Sequence, residues 1–159
     1  MRKGSKTATN ENDALRTRDY IKMMKKARED IPTTIAYSVT EWRMWVTLND
    51  IVEGSRRGVR GMIVWDKKSP GLGAGWRAQH ELIMFAHRTK PKFDKHKSYG
   101  NVIECSRSGN ELHPTQKPVE LLEKLVDNTD FARGVYDPFG GSGTPLAAAE
   151  AYGQPPYTM

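Results

Sequence analysis

The stretch VYDPFGGSGTPLAAAEAYG, residues 135–153, decides how this chain of 159 residues folds. Its apolar lead-in predicts a strand, its glycines predict a turn, and its alanine-rich run predicts a helix that ends at Gly153. Glycine lets backbone approach a ligand closely, and the first turn of a helix offers free N–H groups to a carboxylate or a phosphate. The pattern is neither a P-loop nor GxGxxG. A tight packing turn and a ligand site both stay open.

Strands and helices alternate before this turn. The predicted elements are a basic helix over 13–30, a strand over 33–39, a helix over 40–54 with Thr40 as its N-cap, strands over 58–67 and 80–88, a helix over 117–128, and strands over 134–139 and from 155. Ile63, Val64 and Trp65 are expected to form the buried run of the second strand. The pattern predicts one α/β domain with a mainly parallel sheet.

Three segments fall outside this alternation. Residues 1–12 are expected to be flexible, and residues 66–79 and 88–112 are expected to be loop excursions from the sheet. In the helix over 117–128, the spacing predicts that Val119, Leu122, Leu125 and Val126 share the inner face.

The formal net charge of +6 fits a polyanionic partner such as nucleic acid, with an ordinary basic surface as the alternative. Cys105 is the only cysteine, which favours a reducing, cytoplasmic setting. No apolar run reaches the ~20 residues of a membrane span, and no signal peptide is predicted. The four histidines and Cys105 lack metal-ligand spacing, so no metal site is expected.

Two motifs together point to a family. DPFGGSGT, at 137–144, follows HPTQKP, at 113–118. The pair resembles the cofactor motifs of the amino-methylating DNA methyltransferases, which make N6-methyladenine or N4-methylcytosine. It is similar to the permuted group in which the catalytic region comes first. The resemblance covers most of residues 31–159 and implies a Rossmann-like methyltransferase sheet with helices on both faces, lacking some strands.

The resemblance implies S-adenosylmethionine as cofactor and an exocyclic amine of DNA as acceptor, with adenine N6 favoured over cytosine N4. The residues it implies around the cofactor are Asp137, Pro138, Phe139, Gly141, Gly143 and Thr144 on one side, and His113, Thr115, Gln116 and Lys117 on the other. Thr144 would cap the helix near the methionine carboxylate. Core packing of Phe139, a backbone hydrogen bond from His113 and a solvated Lys117 are the alternatives.

The family carries an Asp-Pro-Pro-Tyr motif for the target base, and this sequence contains none, so no catalytic residue is assigned. QPPY, at 154–157, is expected to begin a strand instead. In the family, the strand that QPPY would begin ends in an acidic residue that binds the cofactor ribose, and the sequence stops at Met159 before such a residue. The expectation is therefore a chain truncated at both ends, from a bacterium or phage, whose activity alone stays open. The alternatives are a non-catalytic cofactor- and DNA-binding remnant or subunit, and an unrelated α/β nucleotide binder. A homodimer or a complementing catalytic segment is the expected protein partner.

The loop DKKSPGLGAGWRAQH combines basic and aromatic residues, which suits phosphate contact and base stacking. Lys67, Lys68, Trp76 and Arg77 are the predicted contacts with double-stranded DNA. The alternative is an ordinary surface loop with Trp76 packed against the sheet. The basic residues of 88–112 either read sequence or are simply solvated.

Overall fold

A computed structural model describes residues 17–30, 35–91, 93, 98–107, 117–128, 134–138, 149–150, 153 and 155–158. The elements in chain order are α1 (Thr17–Asp30), β1 (Ile35–Thr40), a 3-10 turn (Trp42–Met44), α2 (Trp45–Glu53), β2 (Gly58–Asp66), β3 (His80–His87), β4 (Val102–Glu104), α3 (Val119–Asp127), β5 (Val135–Asp137) and β6 (Pro156–Thr158). The predicted α/β class is confirmed. None of the described helices is long and apolar enough to cross a membrane.

The larger sheet has the order β1-β3-β2-β4. Strand β3 lies between β1 and β2 and is antiparallel to both, whereas β4 is parallel to β2. The sheet is therefore mixed, and the prediction of a mainly parallel sheet was wrong. The physical reason is the connection from β2 to β3, which contains no helix that could carry the chain back for a parallel pairing.

Strands β5 and β6 form a separate parallel pair, in which Tyr136 is opposite Tyr157. Residue 155 is therefore followed by a strand, as predicted. The part of QPPY that is described, 155–157, leads into and begins this strand. The helix predicted between β5 and Gly153 lies largely outside the described residues.

A bulge at Arg60 sets which side chains of β2 face each layer. Val59 is opposite Ala86 and Gly61 is opposite Phe85, so Arg60 has no partner of its own in the register. Val59 and Trp65 are six residues apart, so in a regular strand without the bulge they would point to the same face, because side chains alternate along a strand. With it, Val59 packs in one core and Trp65 in the other.

The larger sheet has a core on each face. Met24 of α1 and Leu48, Ile51 and Val52 of α2 pack with Met84 and Ala86 on one face. On the other face, Leu121 and Leu125 of α3 pack with Trp65, Ile83 and Cys105. Strand β3 supplies both cores, so it reads as a nearly continuous apolar run. The prediction of helices on both faces is confirmed.

Four local predictions need correction. Thr40 is the last residue of β1 and makes no helix cap; a 3-10 turn at Trp42 starts the helical segment instead. In α3 the buried residues are Leu121, Leu125 and Val126, while Val119 is exposed. The excursion over 88–112 contains the short strand β4, because its backbone continues the ladder of β2. Within β2, Trp65 is buried but Ile63 and Val64 are only half-buried.

Replacing Leu121 with alanine tests the assignment of the α3 core. Leu121 is completely buried against the sheet, so Leu121→Ala should lower the free energy of unfolding by about 2–5 kcal/mol through lost burial and a residual cavity. Val119→Ala, on the exposed side of the same helix, should change it by less than about 0.5 kcal/mol. Urea denaturation of both variants gives the comparison, and a larger loss for Val119→Ala would contradict this packing.

Candidate functional site

The carboxyl ends of β1, β2 and β4 lie at one edge of the larger sheet, because these three strands run in the same direction. This carboxyl edge is formed by Thr40, Asp66 and Glu104, and β3 begins beside them with His80 opposite Asp66. Ligands of open α/β sheets bind outside the carboxyl ends of strands. Three ion pairs and the Asp66–Gln79 hydrogen bond also lie here.

Glu81, the second residue of β3, holds two lysines at this edge. One carboxylate oxygen is 2.8 Å from Lys67 Nζ and the other is 3.1 Å from Lys117 Nζ. We call Trp65, Lys67, Glu81 and Lys117 the Glu81 cluster. The side chain of Lys67 is 12% exposed and that of Glu81 is 24% exposed, so the first pair is largely shielded from water. Lys117 is the fifth residue of HPTQKP, and its ion pair fixes that end of the motif to the sheet.

Burial acts to raise the pKa of Glu81, but the hydrogen bonds and positive charges of Lys67 and Lys117 outweigh it and hold the pKa below the ordinary glutamate value. Glu81 is therefore ionised at neutral pH. An ionised carboxylate between two ammonium groups also offsets the repulsion that the lysines would otherwise exert on each other.

Trp65 forms the floor of the Glu81 cluster. Its ring is 2% exposed, and its Nε1–H donates a 2.7 Å hydrogen bond to the backbone carbonyl of Cys105. Lys67 Nζ lies 5.3 Å and Lys117 Nζ 5.9 Å from the ring centroid, which is within cation–π range. The indole ring thus interacts with both ammonium groups. Its hydrogen bond also connects it to Cys105, the residue after β4.

Asp66 closes the base of the loop that follows β2; we call this base, residues 66–71 and 78–79, the neck. Its Oδ1 accepts hydrogen bonds from the side chain of Gln79, at 2.9 Å, and from the backbone N–H of Lys68, at 2.8 Å. These two bonds, in that order, hold the pKa of Asp66 below its ordinary value. Backbone bonds from Lys67 to Gln79 and from Gly71 to Ala78 continue the closure, so residues 72–77 project from a fixed base.

The structure separates the four residues predicted to contact DNA into two groups. Lys67 belongs to the Glu81 cluster, and Lys68 Nζ lies 3.0 Å from Glu104 in an exposed pair. Trp76 and Arg77 instead project into solvent at the loop tip. The alternative in which Trp76 packs against the sheet does not hold. DNA contact by these residues stays a prediction.

The cofactor residues inferred from resemblance are only partly described. Lys117 is placed in the Glu81 cluster, Asp137 ends β5 at the carboxyl end of a parallel pair, and Pro138 follows it. The others lie outside the described residues: His113, Thr115, Gln116, Phe139, Gly141, Gly143 and Thr144. Within the described part of the chain, no group of three or more His, Cys, Asp or Glu could hold a metal ion.

Glu81 was missed at the level of sequence. The signal was present, since a carboxylate stands next to the apolar run of β3, where an unpaired charge would be costly to bury. Its partners could not be identified in the same way. Lys67 precedes it by fourteen residues and Lys117 follows it by thirty-six, so only the folded chain brings the three together.

Comparison with known proteins gives matches over most of the chain. A family model described as DNA methylase, of the N6/N4 type, matches residues 8–155. A curated protein of Escherichia coli (strain K12), named "Putative methylase YubD", is 33% identical over 92 residues, which are 57% of this chain and 40% of that protein. The chain therefore spans well under two thirds of the length of this curated relative.

Two solved structures share the fold. The M1.HpyAVI–SAM complex has a TM-score of 0.73 at 22% identity, covering 87% of this chain and 74% of that chain. The PvuII DNA methyltransferase (cytosine-N4-specific) has a TM-score of 0.71 at 16% identity, covering 99% and 71%. At such identities the likeness concerns the fold alone.

The Glu81 cluster predicts a pH-dependent loss of stability in Glu81→Gln, which keeps the shape but leaves the two lysines uncompensated. We expect a loss of roughly 1–2 kcal/mol at pH 7, between the values for exposed and buried pairs. The pKa of Glu81 is lower in the folded state than in the unfolded state, where it is about 4.3. Its contribution to the stability of the fold is therefore fully present above about pH 4.3 and is lost as the pH falls through the folded-state pKa.

The measurement is urea denaturation of both proteins at pH 7 and near pH 3. The difference in stability between the two proteins should be largest at pH 7 and should shrink at the lower pH. Glu41→Gln, which removes one partner of an exposed pair with Arg43, is the matched control and should change stability by less than about 0.5 kcal/mol. An equal loss for Glu81→Gln at both pH values would show that the loss does not come from the charge of Glu81.

Proposed function

The chain belongs to the DNA methylase family, and from that premise we propose that it acts in methyl transfer from S-adenosylmethionine to an exocyclic amine of DNA, adenine N6 or cytosine N4. Family membership removes the alternative of an unrelated nucleotide binder. The observation that carries the proposal is the position of Asp137. A carboxylate ends β5, in a parallel pair, and the glycine-rich sequence that is predicted to form the turn follows it directly.

The residues present fit this cofactor. S-adenosylmethionine supplies a methyl group on a positively charged sulfur, which a base nitrogen accepts as it gives up a proton. Asp137 offers a carboxylate to the cationic methionine end, where charge-assisted hydrogen bonds are strongest. The helix after the glycine turn would present N–H groups to the methionine carboxylate, with Thr144 as its cap.

Lys117 supports the same proposal from the other motif. Its ion pair with Glu81 anchors the end of HPTQKP at the carboxyl edge of the larger sheet, close to the start of the 67–79 loop. In this proposal the Glu81 cluster holds HPTQKP in position, and His113, Thr115 and Gln116 close over the cofactor. DNA is the partner, since the net charge of +6 favours a polyanion and the base to be modified must leave the stack.

Calorimetry with S-adenosylmethionine tests the cofactor site. The chain should bind it, and Asp137→Ala should weaken binding about tenfold or more, because a hydrogen bond to a charged group is worth about 1.5–3 kcal/mol. Asp50→Ala, which removes an exposed carboxylate from α2, is the control and should leave affinity unchanged. No binding to the unaltered chain would defeat the proposal.

A transfer assay tests the reaction itself. The assay combines the chain, duplex DNA and S-adenosylmethionine with a radiolabelled methyl group. Label in DNA would show that this chain carries out the reaction by itself although it lacks the Asp-Pro-Pro-Tyr motif, and digestion to nucleosides would identify N6-methyladenine or N4-methylcytosine. Asp137→Ala should reduce incorporation in proportion to its loss of cofactor affinity at low cofactor concentration. Cofactor and DNA binding without incorporation would instead favour the alternative of a non-catalytic binding chain or subunit.

A further inference from the structure

The tip of the loop between β2 and β3 carries two large apolar side chains that the described residues leave uncovered. Leu72 and Trp76 have relative exposures of 103% and 106%, as in an extended chain. We call residues 72–77 the tip. Scattered exposed apolar residues are ordinary on protein surfaces, but two of this size on one short projection mark an interaction site.

Hydrogen bonds stabilise the neck from which the tip projects. Asp66 and Gln79 are joined by a side-chain hydrogen bond, and Gly71 N–H donates to the carbonyl of Ala78 at 3.0 Å. Arg107 adds a bond from Nη2 to the carbonyl of Ser69. A Cβ at Gly71 would lie 3.3 Å from the Ala78 oxygen, so the two sides of the neck are in close contact. The neck therefore resists bending when the tip is pushed against a partner.

The tip itself turns on two glycines with positive φ, Gly73 at 124° and Gly75 at 69°. Nothing lies within 4 Å of the position that a Cβ would take on either. Their backbone conformation, and not crowding, is what requires glycine there. Between Leu72 and Trp76 the chain therefore carries no bulky side chain, which suits entry into a narrow space.

The charge of the loop selects a polyanion as the occupant. From residue 67 to 79 the sequence contains Lys67, Lys68 and Arg77 and no acidic residue. Lys67 and Lys68 are paired with Glu81 and Glu104, whereas Arg77 is exposed beside Trp76 and makes no ion pair among the described residues. An arginine next to an apolar tip can hold a backbone phosphate while the tip reaches the bases.

We propose that Leu72 and Trp76 form a wedge that enters duplex DNA between base pairs while Arg77 holds the adjacent phosphate. Apolar side chains inserted between base steps unstack and kink a duplex, and removing a base from the stack leaves a gap that such side chains can fill. The inference rests on the proposed function, because it assigns the tip to the same DNA. Leu72 lies outside the residues predicted from sequence to contact DNA.

The test compares two duplexes, one fully paired and one with a central mismatch, in titrations of the 159-residue chain between 50 and 200 mM salt. The unaltered chain should bind the mismatched duplex more tightly, because its unstacking is partly done. Leu72→Ala/Trp76→Ala should bind about tenfold more weakly, lose the preference and keep the salt slope. Arg77→Ala should lower the slope by about one and keep the preference.

Trp42→Ala is the matched control, since Trp42 is also exposed but lies on the 3-10 turn before α2; it should keep both affinity and preference. The wedge is overturned if the double variant binds both duplexes as the unaltered chain does, if the unaltered chain shows no preference or binds no duplex, or if the tip instead directs binding to anionic phospholipid vesicles. Cofactor calorimetry separates these failures from failure of the proposed function, because no tip variant should alter it.

Discussion

Strand β3 hydrogen-bonds to a neighbour along both edges, and this double pairing is the constraint on which the rest of the larger sheet depends. It forces β1 and β2 to run parallel to each other, with their carboxyl ends at one edge. It also places alternate side chains of β3 in two different cores, Ile83 in one and Met84 in the other. Loss of β3 would therefore remove side chains against which α1 and α2 pack on one face of the sheet and α3 packs on the other.

The same strand also supplies the central carboxylate of the carboxyl edge, that of Glu81. Glu81 is the second residue of β3, just before the buried part of the strand. Its carboxylate is therefore shielded enough to interact strongly with lysines and exposed enough to stay ionised. Trp65, directly opposite it on β2, supplies an aromatic surface under both ammonium groups. In the proposed function, this arrangement holds the HPTQKP motif in position through its lysine, Lys117.

The strands with long apolar runs could be predicted from sequence, because β1, β2 and β3 combine β-branched and aromatic residues with clear turn signals on either side. The direction of β3 could not be predicted from its own residues, because the connection from β2 sets it. The glycine-rich loop at 67–79 contains no helix, and it brings the chain back antiparallel to β2. Strand β4 has only three residues, too few for any periodic signal. In α3, adjacent leucines at 121 and 122 allow more than one apolar face, and packing against Trp65 selects the face with Leu121.

The same limit applies to the candidate site. Residues adjacent in sequence, such as Trp76 and Arg77, could be proposed as a unit, but the Glu81 cluster needs contacts between β2, β3 and the segment before α3 that no local pattern encodes. Lys67 shows the consequence, since its sequence neighbourhood suggests a DNA contact while its folded neighbourhood gives it a carboxylate partner.

Cys105 has a practical consequence for probing this protein. It is the only cysteine in the sequence, it is buried beside Trp65 and Leu121, and burial, followed by the neighbouring Glu120, raises the pKa of its thiol. Thiol reagents act on the exposed thiolate, so the native thiol is poorly reactive while the fold is intact. A second cysteine placed on any exposed loop would consequently take up a spectroscopic label almost alone, with no need to remove the native one from the core.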